Sequence, residues 1–170
     1  MASFKPLGIA DQTYCSFKSR IMKRLDKVEH VCLVGTGNWK FSLNPEKNFK
    51  SFDSSSDIDV AVISEHQFIS TWEEMRKYHR NRWYRLTIGE RDRLRRNGEN
   101  VYSGFISPAW IPEKQSKLKF EYLRLLNALR DQHVGFRPVK MVFFKNMVEA
   151  IDYYKRGFVI AQQKVRTDEV

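Results

Sequence analysis

The sequence predicts a mixed α/β or α+β fold in which a central mixed sheet is flanked by helices. Short apolar runs rich in β-branched residues, bounded by turn residues, alternate with longer segments whose apolar residues recur at helical spacing. The 42% of hydrophobic and 14% of aromatic residues exclude a disordered chain. A chain of 170 residues has room for one sizeable core, so we expect a single domain over 1–170.

The first half of the chain is predicted to contain two strands and two long helices. Its strands are the apolar runs HVCLV and IDVAVI, and the first of them enters a Gly-Thr-Gly turn. In order, we expect a helix over 11–28, a strand over 30–34, an irregular segment over 38–56, a strand over 58–63 and a helix from about 65 to 78.

The second half begins with a short basic helix. Its start is predicted from Thr87 and Glu90, which have the spacing of a capping box, and its end from the Asn97-Gly98 pair. After it we expect a strand over 101–107, a loop around Trp110, a helix over 116–131, a strand over 139–144 and a final helix over 146–166, capped by Asn146.

Positive charge dominates the surface. Thirty Lys and Arg residues oppose twenty Asp and Glu residues, so the net charge is +10 and polyanions are the expected partners. The segment 76–98 holds nine basic and two acidic residues, interleaved with Tyr and Trp. This pattern predicts either a well-solvated arginine-rich helix pair or a surface for single-stranded nucleic acid, contacted by Arg91, Arg95 and Arg96.

Cysteines and apolar runs indicate a cytoplasmic protein. Cys15 and Cys32 form neither a disulfide framework nor a zinc motif, so we expect reduced thiols. The sequence has no uncharged apolar run of about 18 residues and no signal peptide at its start, so we expect no membrane association.

The two carboxylates of Asp57-Ile58-Asp59 are the strongest chemical signal. Residues i and i+2 of a strand face the same side, so the two anions repel each other at the mouth of an apolar strand. A divalent cation, Mg²⁺ or Mn²⁺, would relieve that repulsion and also accept substrate phosphates as ligands. The glycines of the preceding turn permit backbone amides to approach a triphosphate.

An apolar strand, a Gly-Thr or Gly-Asn pair, a spacer and an Asp-x-Asp strand resemble the nucleotidyltransferase fold of the DNA polymerase β superfamily. The resemblance covers about residues 11–78, with the core motif at 28–79, and the remainder only in outline. Minimal members of this kind occur in prokaryotic toxin–antitoxin and anti-phage defence systems. The resemblance implies transfer of a nucleoside monophosphate from an NTP or dNTP to a hydroxyl, with Asp57 and Asp59 as catalytic metal ligands. The residues expected to hold the triphosphate are Gly35, Thr36, Gly37, Lys40 and Ser56.

The chain departs from the family at the third carboxylate. The family places another acid on a later central strand, whereas the segment 137–144 contains none and has Lys140 at about that place. The spacer between Thr36 and Asp57 is also longer than is usual in the family. The alternative prediction is therefore a catalytically degraded nucleotidyltransferase fold that binds nucleic acid or a partner protein.

The last helix carries a regular apolar stripe. Its members repeat in alternating steps of four and three, a pattern that favours packing along the whole helix. They are Met147, Ile151, Tyr154, Phe158, Ala161 and Val165. This pattern predicts a homodimer, or contact with a second defence-system protein, although packing onto its own domain explains it equally well. Since adjacent helical residues diverge by about 100°, Tyr153 is expected to be exposed beside a buried Tyr154.

Overall fold

The computed structural model describes residue 9 and residues 11–168. Four strands form one mixed sheet: β1 (His30–Val34), β2 (Ile58–Ile63), β3 (Phe105–Ile106) and β4 (Val139–Phe144). The α-helices of the described residues are α1 (Asp11–Met22), α2 (Thr36–Trp39), α3 (Glu65–Arg82), α4 (Ile88–Tyr102), α5 (Lys117–Leu129) and α6 (Met147–Asp168). The predicted mixed α/β class is confirmed.

The sheet has the order β1–β2–β4–β3. The strands β2 and β4 are parallel and central, and β1 and β3 pair antiparallel at the two edges. Five of the six residues of β2 are buried, and the exception is Asp59, which is half-buried. A strand that is apolar on both faces must be covered on both, so helices lie on either side of the sheet.

The two faces of the sheet differ in what covers them. One face packs against α1, α3 and α5 through a core that includes Phe17, Val60 and Phe143. The other face carries a smaller cluster around Ala61 and Phe144, covered by α2 and α6. Asp59 belongs to the second face, because it alternates with the buried residues of the first.

The strands 30–34, 58–63 and 139–144 form as predicted, and Asn146 caps the last helix by accepting a hydrogen bond from the Glu149 N–H at 2.9 Å. The first helix is shorter than the predicted 11–28, because α1 ends at Met22. The chain must turn back there to enter β1, and Lys27 takes a left-handed backbone conformation with φ of 53°. The Lys27 carbonyl accepts a hydrogen bond from the Ser64 hydroxyl, which fixes this turn against the start of α3.

The expected stop at Gly98 is wrong. The helix α4 continues through Gly98 to Tyr102, and the strand expected over 101–107 is reduced to the two residues of β3. The turn occurs instead at Gly104, whose φ is +80° and whose N–H bonds to the Val101 carbonyl. A single glycine inside a helix costs only about 1 kcal/mol, so the flanking helical residues carry the helix past Gly98.

No helix in the described part of the chain is both long enough and apolar enough to cross a membrane.

Candidate functional site

The two carboxylates of the Asp-x-Asp motif lie on the α6 face of the sheet. Asp57 immediately precedes β2, and Asp59 is its second residue. Both side chains are half-buried. The two side chains share one face, as the alternation of the strand predicts, because Lys140 lies opposite Asp59 in the sheet and forms an ion pair with Asp57.

Lys140 stands beside the two carboxylates on the neighbouring strand. The parallel register of β2 and β4 sets Lys140 opposite Asp59, and its ammonium group forms an ion pair with the Asp57 carboxylate. The hydrogen bond to Asp57 raises the pKa of Lys140 above its ordinary value. The lysine side chain is 66% exposed, so this pair contributes little to folding.

Asp59 is held in a less favourable electrostatic environment. Burial raises the pKa of its carboxyl above the usual range, and the negative charge of Asp57 acts in the same direction. Lys140 and Lys47 oppose this rise through their positive charges. A cation entering beside Asp59 would therefore stabilise the ionised carboxylate.

The glycine turn packs directly against Asp59. Gly35 has φ of +64°, a left-handed conformation that side chains rarely adopt. A β-carbon at this position would collide with the Asp59 carboxylate and would lie 3.2 Å from the Asp59 β-carbon. The turn and the Asp-x-Asp motif, separated by more than twenty residues in the sequence, are thus in contact in the fold.

The rest of the turn forms the four-residue helix α2. The N–H groups of Asn38 and Trp39 donate to the Gly35 carbonyl, and the N–H of Lys40 donates to the Thr36 carbonyl. Gly37 is buried inside this helix. Lys40 is exposed and has φ of 73°, and its carbonyl accepts a hydrogen bond from the Phe52 N–H at 2.7 Å. The backbone of Lys40 therefore ends α2 and connects it to the later part of the spacer at Phe52.

Ser56 lies in a tight turn that ends the spacer. Its hydroxyl accepts a hydrogen bond from the Asp53 N–H and donates to the Asp53 carboxylate. Lys50 forms an ion pair with the same carboxylate at 3.0 Å. The spacer contains the lysines Lys40, Lys47 and Lys50, and it is the charge of Lys47 that acts on Asp59. The triphosphate role of Ser56 and Lys40 stays a prediction.

The Asp59 side chain opens onto a cleft of about 300 Å³ between the sheet and α6. Gly35, Asp59 and Lys140 line one side, and Tyr153 and Tyr154 line the other. The expectation that Tyr153 is exposed is wrong. It is half-buried and packs edge-on against Phe105, with ring centres 4.7 Å apart. Both tyrosines pack on the sheet, because each ring lies 5.8 Å from the ring of Phe144 on β4.

Burial raises the pKa of both tyrosines, and the Asp59 charge adds to the effect. Both phenols therefore remain protonated near neutral pH and can donate hydrogen bonds into the cleft. Asn44, from the spacer, also lines the cleft. Nothing in the sequence pattern singles out Asn44, because its position depends on how the spacer folds back.

The basic segment 76–98 belongs to the other face of the sheet. It comprises the end of α3, the turn Trp83–Arg85 and the first part of α4, whose Leu94 joins the core of that face. The capping box of Thr87 and Glu90 is present. The predicted nucleic-acid residues Arg91, Arg95 and Arg96 are therefore not brought to the carboxylates.

Within residue 9 and residues 11–168, no group of three or more His, Cys, Asp and Glu side chains is placed to hold a metal ion. Asp57 and Asp59 therefore offer two carboxylates, and the third charged side chain beside them is Lys140 rather than an acid. No family model, curated protein or solved structure matches this chain.

Proposed function

We propose that the protein is a metal-dependent nucleotidyltransferase that moves a nucleoside monophosphate from an NTP or dNTP to a hydroxyl acceptor, with release of pyrophosphate. The proposal rests above all on the contact between the Gly35 backbone and the Asp59 side chain. The glycine turn allows phosphates to lie close to its backbone. The contact places this turn against Asp59, a carboxylate that a cation would stabilise in its ionised form.

The donor set fits a magnesium ion that is shared with the substrate. Mg²⁺ is commonly bound by one or two carboxylates plus substrate phosphates, and Asp57 and Asp59 supply two carboxylates on one face. When bound, Mg²⁺ would neutralise charge on the reacting phosphates. Two protein ligands are too few for a site filled in the absence of nucleotide, so metal and nucleotide are expected to bind together.

The residues of the chain have separate roles in this proposal. Asp57 and Asp59 hold the cation, and the backbone of the Gly35 turn, which packs on Asp59, contacts the triphosphate. Lys140 pairs with Asp57 in the free protein and moves to a phosphate oxygen when nucleotide arrives. Lys47, whose charge already acts on Asp59, is a second cation for the pyrophosphate. Catalysis is then mainly positioning and charge neutralisation.

A second candidate function is nucleotide binding without transfer. It is favoured by the ion pair of Lys140 with Asp57, because a lysine there neutralises a carboxylate and supplies no third ligand. In this case Lys140 is the main phosphate contact, and the protein binds a nucleotide without transferring it.

The deciding experiment incubates the protein with Mg²⁺ and each α-labelled NTP and dNTP, and measures released pyrophosphate and labelled product. We expect Asp57→Asn and Asp59→Asn to lower transfer at least about a hundredfold, since metal-ion stabilisation supplies several kcal/mol. Glu121→Gln, which changes an exposed carboxylate on α5, should retain the parent activity.

The second candidate predicts a different set of results. The parent would bind a nucleotide in equilibrium dialysis but release no pyrophosphate, Asp59→Asn would bind equally well, and Lys140→Met would lose binding. Absence of both transfer and nucleotide binding in the parent would refute both candidates.

A further inference from the structure

A groove of about 780 Å³ runs between α3 and α4. Its floor is apolar and includes the buried side chains of Phe68, Met75 and Leu94. These residues belong to the core on the α3 face of the sheet, whereas Asp59 lies on the α6 face. The groove shares no lining residue with the cleft at Asp59, and the groove volume lies in the range of ligand-binding pockets.

Aromatic rings line this groove at its margins. Trp72 is half-buried and Trp83 is 36% exposed, whereas Tyr102, the last residue of α4, is 93% exposed. An aromatic ring left almost wholly in water has no packing role in the fold. Its face is available to stack on a planar ligand, as aromatic side chains do with the bases of single strands.

Positive charges surround the same rings. Arg76 and Arg95 line the groove together with Lys145, against a single carboxylate, Glu149. The Arg76 guanidinium lies over the Trp72 ring at 5.0 Å, which holds the charge at the margin of the groove. Arg95 is 74% exposed and its contact with Asp92 is long, at 3.6 Å, so its guanidinium is accessible to a phosphate.

We propose that the groove between α3 and α4 binds single-stranded nucleic acid, with one base stacked at Tyr102 and backbone phosphates on Arg95 and Arg76. The exposed aromatic ring, the apolar floor and the excess of arginine together match the base and the phosphate of one nucleotide unit. An acidic peptide would match the charge but not the exposed ring.

The structure also assigns different roles to the three arginines of α4. Arg95 lines the groove. The Arg91 guanidinium lies 4.9 Å from the centre of the Trp83 ring, and its Nε is buried. Arg96 is exposed on the helix surface. We therefore expect Arg95 to contribute more to binding than Arg91, which mainly positions Trp83.

The test measures the affinity for fluorescein-labelled oligothymidylate and oligouridylate by fluorescence anisotropy over a series of salt concentrations. Tyr102→Ala should weaken binding about 5- to 150-fold, the range for removal of one base-stacking ring. Arg95→Gln should flatten the slope of log K against log salt by about 0.7, the value for one phosphate of a single strand. Both side chains are largely exposed, so both variants should fold.

The helix α5 offers a matched control pair outside the groove. Phe120 is 61% exposed, and the Arg124 guanidinium lies 6.0 Å from its ring centre. Phe120→Ala and Arg124→Gln should leave both affinity and salt slope at the parent values. If Tyr102→Ala and Phe120→Ala weakened oligonucleotide binding equally, the oligonucleotide would bind the protein surface nonspecifically, and the proposal would be overturned.

Three further results would also overturn it. Duplex DNA that binds as tightly as a single strand would exclude stacking on Tyr102. Polyglutamate that binds while the oligonucleotides do not would identify the groove as a site for an acidic protein. Loss of oligonucleotide binding in Asp59→Asn would show that the oligonucleotide binds at the carboxylates instead of the groove. Unchanged binding in Asp59→Asn is expected, whether or not the protein transfers nucleotides.

Discussion

At the scale of single residues, the candidate site depends on close contacts that tolerate little change. Gly35 combines a left-handed backbone with the absence of space for a β-carbon, and Asp59 occupies that space. We expect Gly35→Ala to lower the free energy of unfolding by about 1–3 kcal/mol or more, because strain in the backbone adds to the collision. The measurement is the midpoint of urea unfolding.

Gly157 provides the control for this substitution. It lies within α6, and a β-carbon there would meet nothing within 4 Å. Gly157→Ala should therefore raise the free energy of unfolding by about 0.5–1 kcal/mol, through better helix propensity. A stability of Gly35→Ala equal to that of the parent would mean that the turn does not pack on Asp59.

Asp59 makes stability depend on pH. Its pKa is raised above the ordinary 3.8, mainly by burial. Between pH 3.8 and this raised pKa, the folded chain keeps a proton on Asp59 that the unfolded chain has released. Stability is therefore lost as the pH rises from about 3.8 through the raised pKa. Asp59→Asn stays neutral, so we expect it to be more stable than the parent at pH 7 and to lose this advantage below about pH 4.

Asp57→Asn should behave differently in the same unfolding experiments. The repulsion between the two carboxylates alone predicts that Asp57→Asn, like Asp59→Asn, stabilises the protein. The ion pair with Lys140 changes this expectation, because the substitution removes the partner of an ammonium group. We expect a loss of up to about 1 kcal/mol at pH 7, as is usual for a partly exposed pair. Stabilisation by both substitutions would mean that Lys140 does not pair with Asp57 in solution.

At the scale of elements, sequence patterns located the buried strands better than the helix ends. β1, β2 and β4 are short apolar runs between turn residues, so local sequence alone defines them. The end of α1 and the passage of α4 through Gly98 depend on tertiary structure, namely the turn at Lys27 and the left-handed Gly104. Local propensity cannot rank Gly98 against Gly104.

The start of α4 is a feature that the sequence did predict in detail. The Thr87 hydroxyl accepts a hydrogen bond from the Glu90 N–H, and the Glu90 carboxylate accepts one from the Thr87 N–H at 2.8 Å. Thr87→Ala should lower the free energy of unfolding by about 0.5–2 kcal/mol, since helix N–H groups lose their acceptor. Thr87→Ser keeps the hydroxyl and should stay within a few tenths of a kcal/mol of the parent in the same urea titration.

At the scale of the whole molecule, sequence patterns nominated candidate site residues but did not show which of them lie in contact. Alternation on β2 was enough to place Asp57 and Asp59 on one face. The ion pair with Lys140 required the register of two parallel strands, and the cleft required the path of α6 across the sheet. Both depend on contacts between residues far apart in sequence, which periodicity does not encode.

The helix α6 carries apolar side chains that its own domain does not cover. Of the predicted apolar stripe, Ala161 is buried and Tyr154 half-buried, whereas Ile151 remains 46% exposed. The helix therefore packs partly on its own domain and still presents apolar side chains outward, including Val159 and Ile160 at about half exposure. Exposed apolar patches of this kind often mark interfaces.

We expect a homodimer through this outer face of α6. Sedimentation equilibrium at micromolar concentration should give about twice the chain mass of 20.2 kDa. Val159→Glu places a charge between Ile151 and Ile160 on the helix surface and should return the monomer mass, because desolvating a lone carboxylate opposes association. Phe120→Glu makes a similar change on the exposed face of α5 and should leave the dimer intact. A monomer mass for the parent would show that α6 serves its own domain alone, and the carboxylate site would then have to act within one chain.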